Sequence, residues 1–209
     1  MKNNIGLVEH CTKALREEWG YVYGTYGKVL TSDLLQRKLT QYPDNIKKYQ
    51  GYIEKNYMGK RVTDCVGLVK SFLWWDGKGP VYDSKTDKSA NGIFNAAKIK
   101  GLIDTRPELP GVLVCKDGHI GVYIGDGQVV EAKGTKYGVV QTPIKGLGAT
   151  KWTHWCLCPY IEYGSAVAVH KAIILKHIPF TDADGIWKSV YTHPYPEEWL
   201  KKWAESYKR

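Results

Sequence analysis

The order of hydrophobic periods along the chain predicts an α+β fold, with N-terminal helices packed on a central antiparallel β-sheet and a C-terminal extension beyond it. Three observations predict it. Val8, Cys11, Leu15 and Trp19 share one helical face. A second, more apolar helix opens at Cys65, where Val66, Val69, Leu73 and the Trp74/Trp75 pair recur at roughly helical intervals. From Val112 onward the period changes to short β-branched and aromatic runs separated by glycine turns.

In chain order, the helix over 8–19 ends at Gly20. An aromatic–glycine element follows, Tyr21-Val22-Tyr23-Gly24-Thr25-Tyr26-Gly27, whose glycines suit a turn or close backbone approach. Residues 28–61 are polar and helical in pieces. Ser32 followed by Asp33-Leu34-Leu35-Gln36 has the form of a capping box, Pro43-Asp44-Asn45 is a break, and Ile46, Tyr49, Ile53 and Tyr57 mark another helix. Thr63 or Asp64 caps the Cys65 helix. After a loop at 76–80, Ser89 starts a short helix through Lys98. The strands expected next are 112–115, 119–124, 128–132 and 137–142, an antiparallel meander turning at Asp117-Gly118, Gly125-Asp126-Gly127 and Gly134. Residues 151–163 read as one more strand and its exit. The domain reading is a body over 1–163, with an insertion at about 28–61, and an extension over 164–209. In that extension Trp199, Trp203 and Tyr207 stand at i, i+4 and i+8 of a short helix. Packing on the body is the favoured role for the extension, ahead of polymer binding through Trp187, Trp199 and Trp203.

Composition narrows the function classes. With 30 Lys+Arg against 21 Asp+Glu the net charge is +9, which favours a polyanionic partner. No recognition-helix motif, RNP-like strand or long basic stripe points to nucleic acid. No apolar run approaches the roughly 20 residues of a membrane span, and the N-terminus carries no apolar leader. The expectation is synthesis in the cytoplasm without a membrane span. The five cysteines, Cys11, Cys65, Cys115, Cys156 and Cys158, are odd in number, and Cys156-Leu157-Cys158 has the wrong spacing for a zinc knuckle. Reduced thiols and no metal site are expected.

A cysteine in the first turn of a helix sits beside unpaired N–H groups at the positive end of the helix dipole. That setting favours the thiolate and offers donors to an oxyanion. On its own Cys65 also fits a small buried apolar residue. His119 opens one strand of the meander and Glu131 lies on the strand that returns. If the loop between them holds three residues, Gly121 pairs with Glu131, and His119 and Glu131 face one side; a two-residue loop flips Glu131 away. In the first register Glu131 holds one ring nitrogen of His119 while the other faces a cysteine, the nucleophile–base–orienter arrangement of acyl transfer. Taken singly, His119 also reads as a strand-end histidine and Glu131 as a solvated strand residue.

The order of Tyr21-Val22-Tyr23-Gly24, Asp64-Cys65-Val66-Gly67-Leu68-Val69, Pro110-Gly111-Val112-Leu113, Gly118-His119-Ile120-Gly121-Val122-Tyr123-Ile124-Gly125-Asp126-Gly127 and Glu131-Ala132 resembles the NlpC/P60 family of cell-wall cysteine peptidases over residues 8–163. The resemblance implies a papain-like fold, with Cys65 as nucleophile, His119 as general base and Glu131 as orienter. It implies that Tyr23 lines the substrate cleft, and that Asp64 places the cysteine or contacts a substrate amine. Three departures stand out: glutamate where the third residue is commonly histidine, with His154 as the other candidate; Val66 where serine is usual; and a longer segment between Tyr23 and Cys65.

The function that follows is a peptidoglycan hydrolase. It would be a cysteine endopeptidase acting on stem peptides at D-γ-glutamyl–diamino acid bonds through a thioester, with no metal or organic cofactor. Anionic wall polymers would be secondary partners, and the route to the wall would be holin-dependent or otherwise non-classical, as for an endolysin. Three alternatives remain: an N-acetylmuramoyl-L-alanine amidase, the same three residues used for acyl transfer, and a non-catalytic, basic wall-polymer-binding module.

Overall fold

The computed structural model describes residues 2–164. The chain divides into two compact units, Met1–Glu162 and Tyr163–Arg209. The expectations for the extension, including the Trp199–Trp203 helix, lie outside the described residues.

The first unit holds six α-helices and nine strands among the described residues. Helix α1 (Asn4–Arg16) starts earlier than its apolar period suggested, because the Asn3 side chain accepts the Gly6 N–H. It also ends before Gly20. Glu18 takes a left-handed φ of 51°, with Trp19 N–H returned to the Ala14 carbonyl and Glu18 N–H to that of Leu15, a Schellman closure without glycine. Short strands β1 (Gly20–Tyr21) and β2 (Tyr26–Val29) follow. Helix α2 (Ser32–Gln41) is capped by Thr31, whose hydroxyl accepts the Leu34 N–H, so Ser32 is the first helical residue and not the cap. Helix α3 (Pro43–Ile46), a 3₁₀ turn (Lys47–Tyr49) and α4 (Gln50–Tyr57) complete the insertion. Val22, Leu30, Leu34, Leu35, Ile46, Ile53, Tyr57 and Val62 give it a small core of its own. Tyr57 ties it to the main sheet by donating to the Thr135 carbonyl at 2.5 Å.

Strand β3 (Arg61–Thr63), which the sequence reading missed, runs between β1 and β2 in a three-stranded sheet. It delivers the chain to α5 (Cys65–Leu73), whose residues from Cys65 to Val69 are all buried. Helix α6 (Ala90–Ala96) is capped by Ser89. The main sheet is antiparallel and six-stranded, in the order β4 (Lys100–Leu102), β9 (His154–Cys156), β5 (Leu113–Lys116), β6 (His119–Gly125), β7 (Gln128–Gly134) and β8 (Gly138–Pro143). The expected meander is its β5–β8 part. Strand β4 was not foreseen, and the strand expected over 151–163 shrinks to β9. The observed class is α+β, helices with antiparallel sheet.

The β6–β7 hairpin combines the two registers that the sequence allowed. Its turn has two central residues, Asp126 and Gly127, both at positive φ, since Gly125 pairs with Gln128. That turn alone would send Glu131 to the far face. A bulge between Tyr123 and Gly125 absorbs one residue, and beyond it Tyr123 pairs with Val129 and Val122 with Val130. Gly121 and Glu131 therefore come opposite each other, with His119 on their face.

Candidate active site

The start of α5 is fixed from two sides. Asp64, its N-cap, accepts the Gly67 N–H at 2.6 Å on one oxygen and the Gly24 N–H at 2.8 Å on the other. The Asp64 N–H donates to the Thr25 carbonyl at 3.0 Å. The aromatic–glycine turn is thereby stitched to the first turn of the helix, so closely that a Cβ on Gly67 would lie 1.9 Å from the Thr25 carbonyl oxygen. Burial raises the Asp64 carboxyl above its ordinary value, against the pull of the Gly67 and Gly24 N–H groups. Both its oxygens are engaged inside the protein.

Cys65 is 9% exposed. Its sulfur lies among the backbone N–H groups of Val66, Ile120 and Cys65 itself, which favour the anion. Burial, followed by the Asp64 charge, outweighs them and pushes the thiol up to about 12. The N–H donors expected at a first-turn position are present, and burial with the Asp64 charge works against them. The neutral thiol donates to the Gly118 carbonyl at 3.8 Å. The start of β6 thus brings the Gly118 carbonyl and the Ile120 N–H to the Cys65 sulfur, and His119 is the residue between them.

His119 Nε2 lies 2.7 Å from Glu131 Oε2. Glu131 is fully buried, and its other oxygen accepts the hydroxyls of Thr142 at 2.7 Å and Thr150 at 2.6 Å. Burial opposes charge on Glu131, but the His119, Thr150 and Thr142 hydrogen bonds more than offset it and hold the carboxyl below its ordinary value. An ionised carboxylate only accepts, so the shared proton sits on Nε2 and leaves Nδ1 as the bare nitrogen. The Trp152 indole lies flat against the His119 ring, 5.3 Å between centroids and 7° between planes. Gly121 makes room for that indole, since a Cβ there would meet Trp152 at 3.0 Å.

His154, the other candidate for third residue, pairs with Cys115 on β5, which pairs with Ile120 on β6. Directly paired residues share a face and neighbours alternate, so His154 lies on the opposite face from His119. Its ring packs against Phe94 and bonds Thr153. Tyr23 is 39% exposed and stands edge-on to Tyr42 of the insertion at 5.0 Å. Tyr21 comes nearer to the chemistry. Burial, then the charges of Cys65 and Asp64, raise its phenol well above the ordinary range. Sequence reasoning missed Tyr21, Thr142, Thr150 and Trp152. Thr142 pairs with Val129, two residues before Glu131 on β7, so strand alternation exposes its role once the register is known. Thr150 and Trp152 arrive on a loop and carry no periodic signal.

Among the described residues, no group of three or more His, Cys, Asp and Glu side chains is arranged to hold a metal ion, and no helix is long and apolar enough to cross a membrane. The site's chemistry rests on a thiol beside three N–H donors and a histidine braced by a buried carboxylate.

No protein-family model and no curated protein sequence matches the chain. Among solved structures, the chain is similar to the P60 domain of an antigen from M. avium subspecies paratuberculosis, with 20% identity over 75% of this chain and 96% of that one and a TM-score of 0.39. It is also similar to the peptidoglycan hydrolase RipB from Mycobacterium tuberculosis, with 18% identity over 77% of this chain and 68% of that one and a TM-score of 0.39.

Proposed function

We propose that the protein is a peptidoglycan hydrolase, a cysteine endopeptidase that opens stem peptides between D-γ-glutamate and the diamino acid. The observation that carries this reading is the Cys65 thiol, at the first turn of α5, bonded to the carbonyl of Gly118, the residue before His119, whose ring is in turn held by Glu131. The motif resemblance along residues 8–163 supports the substrate class.

In this mechanism the Cys65 proton passes to His119 Nδ1, and the thiolate attacks the peptide carbonyl. The N–H groups of Cys65, Val66 and Ile120 that surround the sulfur are the donors at hand for the developing charge. The leaving amine takes its proton from His119, and water then hydrolyses the thioester with His119 again as base. Glu131 keeps the proton on Nε2 throughout and stabilises the imidazolium that forms at each transfer. The site of action is the cell wall, and the net charge of +9 suits a surface carrying anionic polymers.

The test is mass spectrometry of purified peptidoglycan fragments after incubation with the wild type and with Cys65→Ala. New termini at D-glutamate from the wild type only are the expected result. Release of intact stems from muramic acid would move the activity to an amidase. Wall binding by both proteins with no cleavage by either would make the chain a binding module.

A further inference from the structure

The turn between β5 and β6 is braced from outside the sheet. Lys116 pairs with His119, leaving Asp117 and Gly118 as the two central residues. Gly118 has a φ of 69°, whereas Asp117 does not take a positive φ. The two-residue turns whose twist matches a hairpin place positive φ at the first central residue or at both. The Asp126-Gly127 turn does so, and the Asp117-Gly118 turn does not. Its local backbone preference therefore leaves it in need of another hold.

Asn91, in the first turn of α6, supplies one. Its Oδ1 accepts the Gly118 N–H at 2.9 Å, and its Nδ2 donates to Asp117 Oδ1 at 2.8 Å. The carbonyl of the same Gly118 receives the Cys65 thiol, and the next residue is His119. One side chain from a separate element thus grips, through its N–H, the residue whose carbonyl receives the resting thiol.

We propose that Asn91 is a positioning residue of the active site: by clamping the Asp117-Gly118 turn it holds the Gly118 carbonyl on the Cys65 thiol and sets the approach of the His119 ring to the sulfur. Its effect on turnover rests on the hydrolase reading above, but its effect on the thiol does not. A hydrogen bond accepted from a neutral thiol favours the protonated form. In the working cycle the thiol leaves the Gly118 carbonyl, its S–H bond breaks, and the proton forms an N–H bond on His119, giving thiolate and imidazolium. Asn91 and Gly118 exchange no proton themselves.

The clamp is tested by reversing it. Asn91→Asp keeps an acceptor for the Gly118 N–H but sets a second carboxylate against Asp117. Asn91→Asp with Asp117→Asn restores one donor and one acceptor with their roles exchanged. Asp117→Asn alone keeps both bonds and serves as the control. The first readout is alkylation of Cys65 by iodoacetamide across pH, followed on the Cys65 peptide by mass spectrometry, which needs no substrate. Asn91→Asp should alkylate about 3- to 10-fold faster at a fixed mildly alkaline pH, the span set by loss of one ordinary hydrogen bond. The double variant should return to within about twofold of the wild type. The second readout is wall-fragment turnover, in which kcat falls for Asn91→Asp with KM held and recovers in the double variant. A wild-type alkylation rate in Asn91→Asp, or a double variant that stays with the single one, overturns the proposal. If alkylation follows the expected pattern while the wild type cleaves no wall fragment, the clamp stands and the hydrolase reading falls.

Discussion

Glu131→Gln is the sharpest probe of the candidate site, because it changes one charge and almost no volume. The wild-type carboxylate accepts from His119, Thr142 and Thr150. A glutamine can keep its amide oxygen toward the two threonine hydroxyls, which leaves its NH₂ facing His119 Nε2. Two donors cannot share that bond, so the imidazole must move its proton to Nδ1 and accept at Nε2. Nδ1 is the nitrogen that takes the Cys65 proton in the proposed mechanism, so the base is lost while the ring stays in its place against Trp152. General-base catalysis by a positioned histidine contributes about 10²- to 10⁴-fold, and the fall in kcat should lie in that window with KM little changed. Stability should fall by about 1 kcal/mol, the difference between a hydrogen bond to a charged and to a neutral partner. The assay pairs wall-fragment kinetics with nitrogen-detected NMR of the His119 ring, which distinguishes the Nε2–H from the Nδ1–H form. A Glu131→Gln variant with the wild-type tautomer and a kcat within about threefold of wild type would refute the reasoning, since nothing would then depend on the carboxylate.

Other expectations follow from single contacts. Gly67→Ala would gain about 1 kcal/mol of helix propensity, but its Cβ would meet the Thr25 carbonyl at 1.9 Å, so net destabilisation of about 1–3 kcal/mol should appear as a lower urea midpoint. His10 is half-buried beside Ser71, and desolvation, with the Lys2, Lys13 and Arg61 charges, lowers its pKa to about 4 from 6.5. The folded state therefore binds that proton less readily than the unfolded chain. The neutral His10 contributes its full stability above about pH 6.5 and loses about 3 kcal/mol as pH falls toward 4. Urea midpoints between pH 7.5 and 4.5 should fall less in His10→Gln than in wild type; equal falls would remove His10 as the cause. Glu131, held below its ordinary value, contributes in a lower window. Its share is present above the unfolded carboxyl pKa of about 4.5 and is lost as pH falls through its folded value.

The parts of the site carried by local pattern were legible in the sequence. The cap was read as Thr63 or Asp64 and Cys65 as the opening of an apolar helix; Asp64 is the cap and Cys65 the first helical residue. The glycine turns bracket β6 and β7 close to where they occur. The pairing of His119 with Glu131 was legible only as a choice between registers, because it depends on a bulge near Ile124 that no residue type advertises. Thr150 and Trp152 were not legible, since a loop and not a period carries them to His119. Strands β3 and β4 were missed because each has three residues, too few to display alternation. The end of α1 was misplaced because Glu18, and not a glycine, takes the left-handed position.

The resting thiol constrains how such a site can work. With Cys65 pushed up to about 12, releasing its proton to water at pH 7 costs about 7 kcal/mol, a factor of roughly 10⁵ in thiolate population. In the proposed mechanism a free thiolate would therefore carry little of the flux. Transfer of the proton to His119 is a different equilibrium, because the charge pair that forms is internal and the carboxylate of Glu131 already faces the imidazolium. Part of the cost of burying the thiolate is returned by that cation, and part by the N–H groups of Cys65, Val66 and Ile120. The chain's glutamate at the third position fits this demand. A neutral partner would orient the ring equally well but would add no opposing charge to the imidazolium, and the high resting value of Cys65 makes that charge count. Neutralising Glu131 should therefore cost more in the acylation step, where thiolate and imidazolium must form together, than in substrate binding.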